Sequence, residues 1–207
     1  MANTTLLLIL FISMTSIAAF SQPATMAQFQ FNAFQIVHRK QYYRILTHAF
    51  VHANWEHLIV NMIVLYSFGT AVEHYFRDEF GSISVYYYLI LFFGSVIFSS
   101  LWSLVQQKDN RYYNSVGASG AVSAVLFCAI FFDPWNPVYL FAILPFPGII
   151  FGALYLYYSY YMSNKKMDNI GHDAHFLGAI FGFLLPVVLR PSLLIVFIHM
   201  LFGRFGQ

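Results

Sequence analysis

Ser119 lies in Val116-Gly117-Ala118-Ser119-Gly120-Ala121-Val122, a run of small residues with one hydroxyl at its centre. Glycines on both sides leave that hydroxyl uncrowded and let other backbone approach closely. A serine with a histidine in hydrogen-bond reach is an activated nucleophile, and His175 is the histidine whose spacing suits it. Gly178 and Gly182 are four residues apart, and His175 precedes Gly178 by three, so all three share one helix face. Pressed against Gly117 and Gly120, that face would bring the imidazole to the hydroxyl. The imidazole would take the hydroxyl proton during attack and return it to a leaving amine. His57 and Asn61, also four apart, can donate hydrogen bonds toward one point. With the Ser119 N–H they would stabilise an oxyanion, each such donor being worth about 3–4 kcal/mol in a barrier. The competing reading of the same small residues is a plain helix–helix packing face.

The elements that must hold these residues are membrane helices. Of 207 residues, 59% are hydrophobic, 20% aromatic and 9% charged, against about 25% charged in a soluble domain. With a mean hydropathy of +0.65, the chain reads as an all-α polytopic membrane protein of one domain, residues 1–207. A net charge of +2 without a basic patch gives no sign of a nucleic-acid partner. The single cysteine, Cys128, excludes an intramolecular disulfide and a cysteine-based zinc site.

Six spans are predicted, over residues 4–20, 57–76, 83–105, 116–132, 138–162 and 171–189. The first resembles a signal peptide, but its start carries no Lys or Arg, so it is read as an uncleaved helix. Residues 21–54 form a long interfacial loop, and residues 192–202 a short interfacial helix. Spans two, four and six run in one direction. His57 and Asn61, Ser119, and the trio His172, Asp173 and His175 all fall near their starts, on one side of the membrane. Ionisable groups in membrane helices are costly and mark functional sites by default.

Four pieces of sequence, from about Tyr43 to Leu189, resemble the rhomboid family of intramembrane serine proteases. They are Tyr43-Arg44 with Thr47, Phe50 and His52; His57-Leu58 and Asn61-Met62 with Gly69 and Glu73; Gly117-Ala118-Ser119-Gly120; and Ala174-His175 with Gly178 and Gly182. The resemblance implies a six-helix bundle with a Ser119–His175 dyad and an oxyanion hole formed by His57, Asn61 and Ser119. It gives Arg44, Glu73, Gly117, Gly120, Gly178 and Gly182 structural roles, and requires no cofactor or metal. Substrates would be transmembrane segments of other proteins within the lipid bilayer. The first loop would lie sideways in the membrane, and the fifth helix and a cap at residues 163–170 would gate access. Two departures stand out. Tyr43 replaces the family's usual tryptophan, and Ser123 replaces an aromatic that often packs on the catalytic histidine. Asp173, two residues from His175, lies on another helix face, consistent with a dyad.

The resemblance implies a cell inner membrane with the site facing outside. The positive-inside rule pulls the other way, since Arg39, Lys40, Arg44, Lys108, Arg111, Lys165 and Lys166 would then be outside. Two rival functions are carried. A non-cutting rhomboid-like client binder would typically lack the serine or the histidine, and both are present. A metal enzyme would draw on His48/His52 and His172/His175, but the chain has no adjacent histidine pair and no HExxH.

Overall fold

A computed structural model describes residues 3–140, 143–165 and 171–203. Helix α1 (Thr4–Ser21) opens at Asn3, whose side chain accepts the Leu6 N–H at 3.0 Å. Helix α5 (Trp55–Phe80) opens at Asn54, which accepts the His57 N–H at 2.8 Å. Gly81, at φ +61°, turns the chain into α6 (Ser84–Gln106). Then come α7 (Ser119–Phe132), α8 (Gly148–Lys165), α9 (His172–Leu189) and α10 (Leu193–Gly203). Thr4–Ser21, the stretch Trp55–Gln106 and His172–Leu189 are long and apolar enough to cross a membrane.

The bundle is built around α7, in which every residue from Gly120 to Phe131 is buried. Its closest neighbour is α9. A Cβ added at Gly178 would lie 2.1 Å from the Gly120 carbonyl oxygen, and one at Gly182 would lie 1.9 Å from that of Ala124. The helices therefore meet backbone to backbone and run parallel, 120 beside 178 and 124 beside 182. Helix α5 runs the same way, with His57 against Gly117 and Phe76 against Phe132. Helix α6 runs oppositely, with Ser99 against Gly120 and Phe181 packed on Gly94. The starts of α5, α7 and α9 thus share one end of the bundle.

At the other end, α1 docks on α5 through a notch at Gly69, which Thr5 and the Tyr88 hydroxyl fill. The Thr5 and Tyr88 hydroxyls lie 2.8 Å apart, and Glu73 Oε1 accepts the Thr5 N–H at 3.0 Å. A carboxylate is well placed there, because the exposed amides of a helix start favour negative charge. Helix α10 caps the same end, with Phe197 stacked on Phe131 at 5.2 Å.

Two expectations are corrected. The predicted span 138–162 is not one helix. Its first part is an antiparallel hairpin, β1 (Pro137–Leu140) with β2 (Leu144–Pro147), paired Pro137 to Pro147. Pro145 and Pro147 lack an N–H and force their predecessors out of helical geometry, so α8 starts only at Gly148. The predicted span 116–132 begins at Ser119, because Gly117 at φ +116° stands in a turn. The connection 21–54, expected as a long interfacial loop, is largely helical. It holds α2 (Pro23–Phe29), α3 (Ala33–Arg39), α4 (Arg44–Thr47) and a 3-10 turn, His48–Phe50. Arg44, buried, ties them together by donating to Gln41 Oε1 at 2.6 Å and to the Ala27 and Gln30 carbonyls at 2.8 Å. Most of the expected cap, residues 166–170, lies outside the described residues.

The α7–α9 contact sets a stability prediction. Gly182→Ala forces backbone apart and is expected to cost about 1–3 kcal/mol or more, lowering the melting temperature in detergent. Gly203→Ala, where a Cβ meets nothing within 4 Å, leaves it unchanged.

Candidate active site

The turn leading into Ser119 is held by the segment between α1 and α5. Phe31 and Ser115 exchange backbone hydrogen bonds at 2.9 and 3.1 Å. Asn32 Nδ2 lies 3.1 Å from both the Arg111 and Tyr113 carbonyls. The Gly117 N–H donates to the His48 carbonyl at 2.9 Å, and the Ala118 N–H to His52 Nε2 at 3.4 Å. At Gly117 a side chain is excluded twice, by its positive φ and by the His57 ring, which a Cβ would approach to 2.6 Å.

His52 is wholly buried, and its tautomer follows from its partners. Because Nε2 accepts from Ala118, the proton sits on Nδ1 and is donated to Ser16 Oγ at 2.9 Å; Ser16 donates to the Phe50 carbonyl at 3.1 Å. With both ring nitrogens committed, His52 has no lone pair left for a metal. Burial, and secondarily the His57 ring 5.0 Å away, push its pKa down to about 3. Burial likewise pushes His48 down to about 4, against a hydrogen bond from its Nδ1 to the Arg44 carbonyl at 3.1 Å. Both imidazoles are structural and neutral.

Beyond this turn the first bond within α7 runs from the Val122 N–H to the Ala118 carbonyl, at 2.9 Å. The amides of Ser119, Gly120 and Ala121 therefore have no acceptor inside the helix, and Ala118 brings no side-chain cap. A helix start with free amides favours an anion. The half-buried Ser119 hydroxyl stands at that point.

Helix α9 supplies the neighbouring side. The Ala174 carbonyl lies 3.4 Å from a Cβ position on Gly120, so the residue before His175 abuts the residue after Ser119. The His175 ring faces Tyr155 at 6.3 Å and an interplanar angle of 24°, and meets His172 edge-on at 5.9 Å. Asp173 turns away, accepting a hydrogen bond from Ser103 Oγ on α6 at 2.7 Å. Asn61 is buried and donates one amide hydrogen to the His57 carbonyl at 2.8 Å, which leaves its second N–H. Arg44 sits behind the site, within the α1–α5 segment, and Glu73 at the opposite end of the bundle.

Sequence reasoning missed Tyr155 and the parts played by His48 and His52. Tyr155 is hidden among the many tyrosines of residues 155–161, where no spacing singles it out. His48 and His52 read as an HxxxH pair, while Gly117, which donates to the His48 carbonyl, and Ser16 and Ala118, the partners of the His52 ring, are far away in the chain.

Ser119 thus stands at the uncapped start of a buried helix, with the helix that carries His175 packed on it. The chain belongs to the rhomboid family: the Rhomboid domain matches residues 39–192. It is 27% identical over 150 residues to RHOMBOID-like protein 12, mitochondrial, of Arabidopsis thaliana, covering 65% of this chain and 43% of that protein. It is 36% identical over 107 residues to Rhomboid protein 1, mitochondrial, of Saccharomyces cerevisiae, covering 50% and 29%. It is 26% identical over 147 residues to Rhomboid protease GluP of Bacillus subtilis, covering 71% and 26%. The matched region spans less than half the length of each relative. Family and apolar helices make this an integral membrane protein. Two of these relatives are mitochondrial by name, so the comparisons do not support the expected cell inner membrane.

The neutral histidines set a pH dependence. Unfolded, each imidazole binds a proton near pH 6.5; folded, His48 and His52 do so only near 4 and 3. Between those values the unfolded chain holds more protons, so stability rises with pH. Stability in detergent is expected to be flat above pH 6.5. It falls toward pH 4.5 by up to about 1.4 kcal/mol per pH unit per histidine. Thermal unfolding across that range checks it, and His52→Ala lowers both the slope and the stability at pH 7.

Proposed function

We propose that this chain is an intramembrane serine endopeptidase that cuts transmembrane segments of other proteins, with Ser119 as nucleophile and His175 as general base. The observation that carries the reading is the backbone contact between Gly178 and Gly120, which seats the histidine helix on the serine helix. His175 takes the Ser119 proton as Oγ attacks the scissile carbonyl carbon. The charge that develops on the carbonyl oxygen meets the Ser119 amide, with His57 and the second N–H of Asn61 as further donors. Collapse breaks the C–N bond, and the amine leaves with the proton from His175. Water, deprotonated by the same imidazole, then releases the acyl group and restores the serine.

The same reading makes the protein one domain that crosses the bilayer six times, by α1, α5, α6, α7, α8 and α9. The segment α2–α4 lies along the interface on the side of the site, and α10 lies along the opposite one. Helix α7 has 14 residues, about 21 Å, against a hydrocarbon core of about 30 Å. A helix that short supports a serine set below the membrane surface, where water must reach it through the bundle.

The test is labelling by a fluorophosphonate probe in mild detergent. Wild type is expected to label, and Ser119→Ala and His175→Ala to stay unlabelled. Folded wild type that does not label would overturn the reading in favour of a protein that binds membrane clients without cutting them. Asn61→Ala is expected to lower turnover of a transmembrane reporter about a hundredfold while leaving the melting temperature close to that of wild type. Unchanged turnover would remove Asn61 from the oxyanion hole.

A further inference from the structure

We propose that Tyr155 of α8 is a positioning residue for His175, held in place by Ser123 of α7. The general base is then set by the docking of a helix that carries neither catalytic group. This rests on the reading of Ser119 and His175 as nucleophile and base, and deepens it.

Three observations carry the proposal. The Tyr155 and His175 rings lie 6.3 Å apart at 24°, a near-parallel arrangement within the range of favourable aromatic pairs. The imidazole of a base must present one particular nitrogen to the serine. Rotation about its terminal torsion is soft, so a flat neighbour and the steeply inclined His172 ring at 5.9 Å together restrict it. The second observation is the tyrosine's own anchor. Its hydroxyl lies 2.6 Å from Ser123 Oγ. Ser123 follows Ser119 by four residues and so stands one turn below it on the same face of α7.

The third is the cost of Ser123 itself. It is only 3% exposed and stands among Val122, Ala124, Val125 and Leu126, all buried. A hydroxyl in that setting is unfavourable unless it is bonded, and the partner it has is Tyr155. Phe127 and Phe151 complete the seat of the tyrosine ring, at 5.7 and 5.9 Å. A chain of contacts therefore runs from the helix of the nucleophile, through Ser123 and Tyr155, to the base.

The experiment uses the full chain in proteoliposomes with a single-span reporter, and fluorophosphonate labelling in detergent. Tyr155→Leu, which removes the ring, is expected to slow labelling about tenfold and to lower kcat with KM unchanged. Tyr155→Phe and Ser123→Ala each remove the hydrogen bond and keep the ring. Each is expected to cost about fivefold, and the double variant no more than either alone. In Ser119→Ala protein, the His175 ring proton resonances are expected to shift when Tyr155→Leu removes the tyrosine's ring current.

A folded Tyr155→Leu that labels at the wild-type rate would overturn the proposal, as would a rise in KM at constant kcat, which marks a substrate contact instead. Additive effects of Tyr155→Phe and Ser123→Ala would do the same. If Tyr155→Leu does not fold, those two variants carry the test. Wild type that fails to label sinks the dyad, and the His175 resonances of the Ser119→Ala protein with and without Tyr155→Leu then decide the positioning separately: unshifted resonances overturn it.

Discussion

The contact on which the rest depends is the meeting of α7 and α9 at Gly120–Gly178 and Ala124–Gly182. In lipid there is little hydrophobic drive to bring one apolar helix to another, since the tails are as apolar as leucine. Attraction comes from van der Waals contact, which requires close approach, and close approach requires that nothing stand between the backbones. Two residues four apart on each helix meet that need, and the result is a parallel pair in fixed register. That register places the first turn of α9 beside the first turn of α7. The chemistry attributed to Ser119 and His175 depends on this packing, whose four residues carry no polar side chain.

Around that pair the histidines divide by environment. His48 and His52 stand in a dry, hydrogen-bonded frame and are kept neutral by burial. Their part is to receive or present backbone hydrogen bonds for the turn ahead of Ser119. His57 lies across Gly117, close to Ser119, and His175 faces an aromatic ring. One residue type thus serves as scaffold and, in the proposed mechanism, as reagent.

Serine divides in the same way. On α6, Ser99 lies against Gly120 and Ser103 engages Asp173. On α7, Ser123 anchors Tyr155. These hydroxyls let helices approach and still satisfy one another, as a buried polar group must. Ser119 differs in standing at the helix start, where the amides around it have no partner within the helix.

Much was legible in the sequence for a local reason. Helix periodicity and the cost of polar groups in hydrocarbon marked Ser119, His57, Asn61 and His175, and the four-residue glycine spacing marked the face of α9. Apolar runs marked α1, α5, α6 and α9 to within a few residues. The failures came where a residue's role is set by what it meets far along the chain. The proline-rich start of the supposed fifth span became a hairpin, because each proline removes a donor and tilts the balance to extended backbone. Arg44 and Asn32 organise the connection between α1 and α5 through contacts that composition does not name. His52 became a backbone acceptor because Ser16 and Ala118 close on it from opposite sides, and Tyr155 was singled out from its neighbouring tyrosines only by facing Ser123 and His175. The sequence by itself determined the class of protein and the groups able to react, since both follow from residue type and short spacing. Only the tertiary structure decided which histidine binds the frame and what stands beside His175, because those contacts join residues far apart in the chain and are set by packing.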